Sequence, residues 1–303
     1  MDKDLNELVL KIAARHGGSV SDIEPIVGNG SVNHVFVVTT GCGKLVVRLN
    51  ADRGFDEFRK EAWCIDQAAA QGVLGPMILG LGRQSGYSFI VQSFLDGVVG
   101  NGGLVDEAVA WKALGQYARA IHSIQDYGFG LDLIDIQDRG FEKRWVQHVT
   151  YNVTSLTPAD KLIDLGALTP NQSPRVRSLF QDLLHKRFTF GLNHGDLSLK
   201  NVIIGARGEV FLLDWGCAEA HVIPHHDIVE ILKSSMARDS AEFSAFLDGY
   251  GLSTDRCQQM EEDVHALMLL RAIDKLRWAI DQHPVAIPSM VDTVRAAYCI
   301  TFS

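Results

Sequence analysis

No stretch of this 303-residue chain approaches the roughly 18 consecutive apolar residues of a membrane helix, so no membrane partner is expected. The opening MDKDLNELVL has no basic segment leading into an apolar one and does not read as a secretory signal. Positive charge is scarce: 28 Lys and Arg stand against 37 Asp and Glu, a formal charge of −9. Non-specific nucleic-acid binding rests on counterion release by cationic side chains, so a nucleic-acid partner is not expected either. The acidic balance leans toward a cationic small substrate. The cysteines (42, 64, 217, 257 and 299) are odd in number and form no C-x-x-C pair, which reads as a reduced, cytoplasmic chain. Internal repeats and low-complexity tracts are absent.

Hydrophobic residues make up 47% of the chain and charged residues 21%, enough for a sizeable core. A soft prior of about 150 residues per domain suggests two units. Residues 4–16 carry Leu5, Leu8, Val9 and Ile12 at helical spacing. Alternating Val35, Val37, Leu45, Val47 and Leu49 flank a turn at 39–43, as in a β-hairpin. A helix is predicted over 55–71, stopped near Gly72, with strands around 77–82 and 87–92 divided by Arg83–Gly86. The Gly-rich 96–103 reads as a connector. Beyond it, Trp111, Leu114, Ala118 and Ile121 form a helical stripe, 123–173 is hard to read, and helices are predicted over 175–187, 226–250 and 256–281. The division is therefore a strand-rich unit, 1–95, and a mostly helical unit, 96–303.

Within the helical half, NHGDLSLKNVIIGARGEVFLLDWG (193–216) stands out. Two short apolar strands, Val202–Ile204 and Val210–Leu213, are joined by a tight turn, with His194, Asp196 and Asn201 before them and Asp214 after. The H-x-D-x-x-x-x-N spacing and the later Asp resemble the catalytic loop and metal-binding segment of protein-kinase-like phosphotransferases. The wording HGD…N…LLDWG resembles the aminoglycoside phosphotransferase family in particular, whose members act on antibiotics, choline, sugars and other metabolites.

That resemblance implies an α+β, two-lobed protein-kinase-like fold: a small antiparallel-sheet N-lobe with one main helix, and a larger, mostly helical C-lobe. It implies transfer from ATP or GTP, assisted by Mg²⁺, to a hydroxyl of a small molecule such as an aminoglycoside, amino alcohol or sugar metabolite. Asp196 is then the catalytic carboxylate, His194 a brace of its loop, and Asn201 and Asp214 the metal ligands. Mg²⁺ prefers hard oxygens, with one or two carboxylates supplemented by phosphate, so the residue types suit the chemistry. The N-terminal half adds a phosphate loop in GNGSVNHVFVV with Gly28, Gly30 and Ser31, though Asn33 replaces the third Gly of G-x-G-x-x-G. Arg48, in LVVRLN, stands where protein kinases carry the Lys of V-A-I-K. Its implied partner is Glu61, and Ser93 to Leu95 match the segment whose backbone meets the nucleobase. Asp227, opening a helix, matches a support of the catalytic loop; with His221, His225 and His226 it also forms a run that a zinc site would use. For the acceptor, Glu219, Glu230, Glu261, Glu262, Asp263 and Asp274 suit an amine, whereas Trp145, Tyr151 and Trp278 suit a sugar-like or apolar molecule. The alternative is a catalytically silent nucleotide-binding protein on the same fold.

Overall fold

The computed structural model describes residues 3–26, 34–51, 54–103, 105–124, 141–233 and 236–303. Helix α1 (Lys3–Gly17) precedes strands β1 (Val20–Ile26), β2 (His34–Thr40) and β3 (Gly43–Ala51), helix α2 (Phe55–Ala70), and strands β4 (Ile78–Gln84) and β5 (Tyr87–Ser93). The strands form one antiparallel sheet in the order β1-β2-β3-β5-β4. Alternation along β3 decides its faces: Leu45, Val47 and Leu49 are buried against Leu8, Val9 and Ile12 of α1, which turns Val46 and Arg48 to the opposite face. The β4–β5 turn is tighter than the predicted Arg83–Gly86. Ser85 and Gly86 both take positive φ, 53° and 79°, as a two-residue hairpin requires.

Then come β6 (Val98–Val99), α3 (Glu107–His122), α4 (Phe141–Ser155), α5 (Lys161–Asp164), α6 (Ser173–His185), β7 (Thr189–Asn193), β8 (Val202–Ile204), β9 (Val210–Leu212) and β10 (Glu219–Ile223). The chain continues through α7 (His225–Lys233), α8 (Ala241–Tyr250), α9 (Thr254–Gln259), α10 (Glu261–Gln282) and α11 (Ile287–Phe302). The Gly-rich stretch is more than a connector, because β6 pairs with β8 and makes the β8–β9 hairpin three-stranded. A separate antiparallel pair, β7–β10, carries the chain into and out of the site.

The long helices predicted over 226–250 and 256–281 are each divided. Within the first, Ser240 caps α8 by accepting from the Phe243 amide at 3.0 Å; the second breaks at Met260, between α9 and α10, with no side-chain cap. Helix α2 has a double allegiance. Its Cys64, Ile65 and Ala68 join the large core of the helical half, with Trp111, Leu114, Phe180 and Trp215. The sheet's core, between α1 and β2, β3 and β5, is a second cluster. Among the described residues no helix is long and apolar enough to cross a membrane.

Candidate active site

β7 ends at Asn193, and the chain turns through His194, Gly195 and Asp196 before a short 3-10 turn, Leu199–Asn201, starts β8. The turn needs its glycine. Gly195 has φ +76°, and a Cβ there would stand 2.4 Å from the Cys217 carbonyl oxygen. Asp227, at the start of α7, holds the turn from beneath. Its Oδ1 accepts from the Gly195 amide at 2.9 Å, and its Oδ2 accepts from the His194 amide at 3.3 Å and lies 3.0 Å from His122 Nε2. This carboxylate is fully buried, yet the His122 bond and charge and the Gly195 amide outweigh burial and keep it below its usual range.

His194 is buried and its pKa lowered, chiefly by burial. Its Nε2 lies 2.9 Å from the Leu213 carbonyl oxygen, which can only accept, so this nitrogen carries the proton. Nδ1 accepts from the Asp196 amide at 3.3 Å. Both ring nitrogens are thus engaged in joining the Asp196 loop to the end of β9.

Asp196 is half-buried. Asn201 Nδ2 donates to its main-chain oxygen at 2.9 Å and to its Oδ2 at 3.0 Å, and Lys200 Nζ lies 3.0 Å from that same Oδ2. Lys200, to which the sequence assigned no role, therefore neutralises Asp196 in this state. The Leu213 amide donates to the Asn201 carbonyl at 2.9 Å, so the β8–β9 hairpin sets Asn201 beside Asp214. Asp214 takes a left-handed backbone, φ 58° and ψ 74°, an uncommon choice for a non-glycine residue. Its carboxylate is exposed, its Oδ1 accepts only a long 3.4 Å bond from the Gly216 amide, and no described cation pairs with it.

These oxygens pass a test of fit for a divalent ion. The contacts to Asp196 use the Asn201 amide nitrogen and leave its oxygen available, and the Asp214 carboxylate is unneutralised. Two hard donors suit an octahedral ion that completes its shell with phosphate and water. Among the described residues no group of three or more His, Cys, Asp or Glu could hold a metal ion, so an ion here needs the nucleotide's oxygens as well. The 221–227 run is not a zinc centre: His226 Nε2 lies 3.0 Å from Glu219, His221 Nδ1 accepts from the Val222 amide at 2.8 Å, and Asp227 holds the His194–Asp196 turn.

Across from Asp214, the Arg48 guanidinium is ion-paired with Glu61 of α2 and lies 5.6 Å from the Phe58 ring centroid. Burial pushes the Glu61 carboxyl above its usual range despite Arg48, and the negative charge of Asp214 adds to the push. Asp214 therefore stands within electrostatic reach of the pair. Sequence reasoning missed the neighbouring residue. Lys60 is buried, and its Nζ donates to the main-chain oxygens of Gly216 at 2.8 Å and Ala218 at 3.0 Å. Only its place beside Glu61 hinted at a role.

Gly28, Gly30 and Ser31 lie outside the described residues. Ser93 is turned to the residue that precedes β4: its amide donates to the Met77 oxygen and its Oγ accepts from the Met77 amide, both at 2.9 Å. Leu95 lies past the strand end, half-buried. Trp145 is core rather than pocket wall, packed edge-on against Phe188, Phe190 and His221; Tyr151 and Trp278 are exposed.

A small antiparallel sheet flanked by the helices α1 and α2, a larger helical half, and an Asp–Asn–Asp mouth on a hairpin define a two-lobed kinase-like phosphotransferase. The chain belongs to the phosphotransferase enzyme family, whose model matches residues 22–262. No curated protein matches the sequence. Solved structures similar in fold include a thermostable mutant of the aminoglycoside phosphotransferase APH(4)-Ia in ternary complex with ADP and hygromycin B (17% identity, 97% of this chain and 99% of that one, TM-score 0.69). Another is the GDP and kanamycin complex of APH(2")-IIia (17% identity, 97% and 99%, TM-score 0.68). A third is the macrolide 2'-phosphotransferase MphH from Brachybacterium faecium (18% identity, 97% and 98%, TM-score 0.63).

Proposed function

We propose that this phosphotransferase moves the γ-phosphoryl group of ATP or GTP to a hydroxyl of a small molecule, with Mg²⁺ held by Asn201 and Asp214. The observation that carries the reading is the convergence of Asp196, Asn201 and Asp214 on one hairpin mouth, within electrostatic reach of the buried Arg48–Glu61 pair. The ADP and GDP complexes of the fold relatives, with their antibiotic acceptors, support the nucleotide and the acceptor class.

When bound, the ion supplies charge neutralisation at the β- and γ-phosphates. The chain's own residues do the rest. Asp196 orients the acceptor hydroxyl and takes its proton on Oδ1, since Oδ2 is occupied by Asn201 and Lys200. His194 is a positioning residue, both of its nitrogens being committed. Arg48, oriented by Glu61, neutralises phosphate. The phosphate-loop role falls to Gly28, Gly30 and Ser31, and the main chain from Ser93 to Leu95 receives the nucleobase, with Leu95 the freer contributor. Residues 1–95 act as the nucleotide lobe and 96–303 as the catalytic and acceptor lobe, in a cytoplasmic protein whose five cysteines are free thiols.

The test is nucleoside-diphosphate release with Mg²⁺ and ATP or GTP over a panel of hydroxyl acceptors. Asp196→Ala is expected to leave nucleotide affinity near wild type while transfer falls on the order of 10²-fold or more. Full turnover in that variant overturns the role of Asp196. Nucleotide binding without any transfer favours the silent reading.

A further inference from the structure

We infer that the acceptor carries an anionic group, a carboxylate or phosphate, received by Lys275 of α10, beside Arg271 and Lys233, on the acceptor side of Asp196. The inference deepens the phosphotransferase reading and rests on it.

The first observation is that five of the six acids suited to an amine-bearing acceptor are already paired. Glu219 lies 3.0 Å from His226 Nε2 and 3.3 Å from Arg271. Glu230 lies 3.2 Å from Arg271 and 3.4 Å from Lys233. Asp274 pairs with His148 at 3.0 Å and accepts from Asn152 at 2.8 Å. Glu261 pairs with Arg238 at 2.6 Å, and Asp263 is ion-paired with Lys186. Glu262 is exposed in the first turn of α10. An acceptor amine would have to displace an internal cation from any of the paired carboxylates, at the cost of leaving that cation uncompensated.

The second observation is a cation without a carboxylate. Lys275 stands four residues after Arg271 and so shares its helix face. Lys233 at the end of α7 meets it side chain to side chain, while Glu230 is shared by Arg271 and Lys233. Lys275 is half-buried and has no carboxylate within ion-pair distance among the described residues. Burial and the neighbouring Lys233 and Arg271 hold its pKa down to about 8, against the pull of Glu230. Of Arg271, Lys233 and Lys275, Lys275 is the one with no carboxylate within ion-pair distance among the described residues.

The third observation is where this charge lies. Arg271, one turn before Lys275 on the same face of α10, lies 3.3 Å from Glu219, which follows Asp214 by five residues, and the charge of Lys275 acts on Cys217 of the intervening loop, as do Asp196 and Asp214. Lys275 is therefore a neighbour of the catalytic mouth. An anionic group on the acceptor would complete the ion-pair set and present the hydroxyl to Asp196. A polycationic acceptor would meet Lys275, Lys233 and Arg271 instead, and like-charge juxtaposition discriminates against wrong partners.

The test uses two matched acceptor sets with the full-length protein, Mg²⁺ and nucleotide. One set is glucose, glucuronate, glucose 6-phosphate and glucosamine; the other is glycerol, glycerate, glycerol 3-phosphate and serinol. The readout is the ratio of kcat/KM within a set, which general damage to the enzyme does not move. The wild type is expected to prefer an anionic member by about tenfold or more, with the carboxylate and phosphate arms telling which group is bound. Lys275→Gln should collapse the ratio toward one, Lys275→Arg should preserve it, and Lys275→Glu should turn it toward the amine. Preference for the neutral or amine member, or a ratio untouched by Lys275→Gln, overturns the inference. If no member is phosphorylated, calorimetric titration with glucuronate and glycerol 3-phosphate decides: binding lost in Lys275→Gln supports it, and no binding of either overturns it. Nucleotide titration in the same samples reports separately on the phosphotransferase reading.

Discussion

Lys60 Nζ on α2 donates to the Gly216 carbonyl, 2.8 Å away and 156 residues further along the chain. With the second bond to Ala218, it fixes α2 to the loop that follows Asp214. Glu61, the next residue, holds Arg48. Arg48, the proposed phosphate-binding cation, and Asp214, the proposed metal carboxylate, are thereby tied through adjacent residues of one helix.

Lys60→Met leaves two main-chain oxygens without this donor, a loss of about 1–3 kcal/mol. It should also weaken Mg-nucleotide binding several-fold, because Arg48 and Asp214 lose their common frame. Lys60→Arg, which keeps a donor, should recover part of both. Urea unfolding and nucleotide calorimetry on the same preparations check this. A destabilised Lys60→Met with unchanged nucleotide affinity would reduce Lys60 to a structural tie.

Asp227 makes the pH dependence of stability testable. Its folded-state pKa lies below the ordinary carboxylate value, held there by His122 and the Gly195 amide. Such a group contributes stability that is complete above the unfolded-state pKa of about 4 and is lost as pH falls through the folded value. Asp227→Asn should therefore be markedly less stable than wild type at pH 7, with the gap closing below about pH 4. Removing one partner from a buried pair costs about 3–5 kcal/mol, which sets the scale for Asp227→Ala at neutral pH. Urea midpoints from pH 3 to 7 measure it. A gap that stays constant across that range would show that the carboxylate charge contributes nothing.

The legible parts of this molecule were those whose signal is local. Asn201 and Asp214 bracket two apolar strands within a few residues, so their adjacency follows from the hairpin alone. The faces of β3 follow from alternation, which put Val46 and Arg48 on the side away from α1. Lys60 was illegible because a Lys in FRKEAW looks like one more charge on a solvated helix, and its partners are carbonyls far along the chain. Strand β6 was hidden for the same reason: Val98 and Val99 among glycines have no strand identity until β8 lies beside them. Ser240, the cap of α8, was the overlooked local cue that divides the 226–250 reading, whereas the break at Met260 within 256–281 carries no side-chain cap to signal it. The pairing of the acids offered for a cationic acceptor was illegible for a different reason, since composition counts carboxylates without showing which of them already meet a cation.

Lys275 should show function bought at the expense of stability. Its pKa in the fold, about 8, lies below the ordinary lysine value of 10.5. Between those values the unfolded chain binds more protons than the folded one, so this group's contribution makes stability rise with pH from about 8 to 10.5 and is most unfavourable below 8. The groups facing it are Glu230 and Lys233 from α7, Arg271 from α10, and Cys217 from the loop after Asp214. Lys275→Met removes the penalty and keeps the apolar stem. After discounting for solvent screening, it should stabilise the protein by on the order of 1 kcal/mol at pH 7, with the gain shrinking above pH 8. The same variant should lose the preference for an anionic acceptor, and in the wild type that preference should fade as pH rises through about 8 and the ammonium deprotonates. Thermal unfolding at pH 7 and pH 9.5, run beside the acceptor ratios, tests both halves. A variant that is less stable at pH 7 would mean that Lys275 is already satisfied within the fold, leaving no charge for an acceptor to meet.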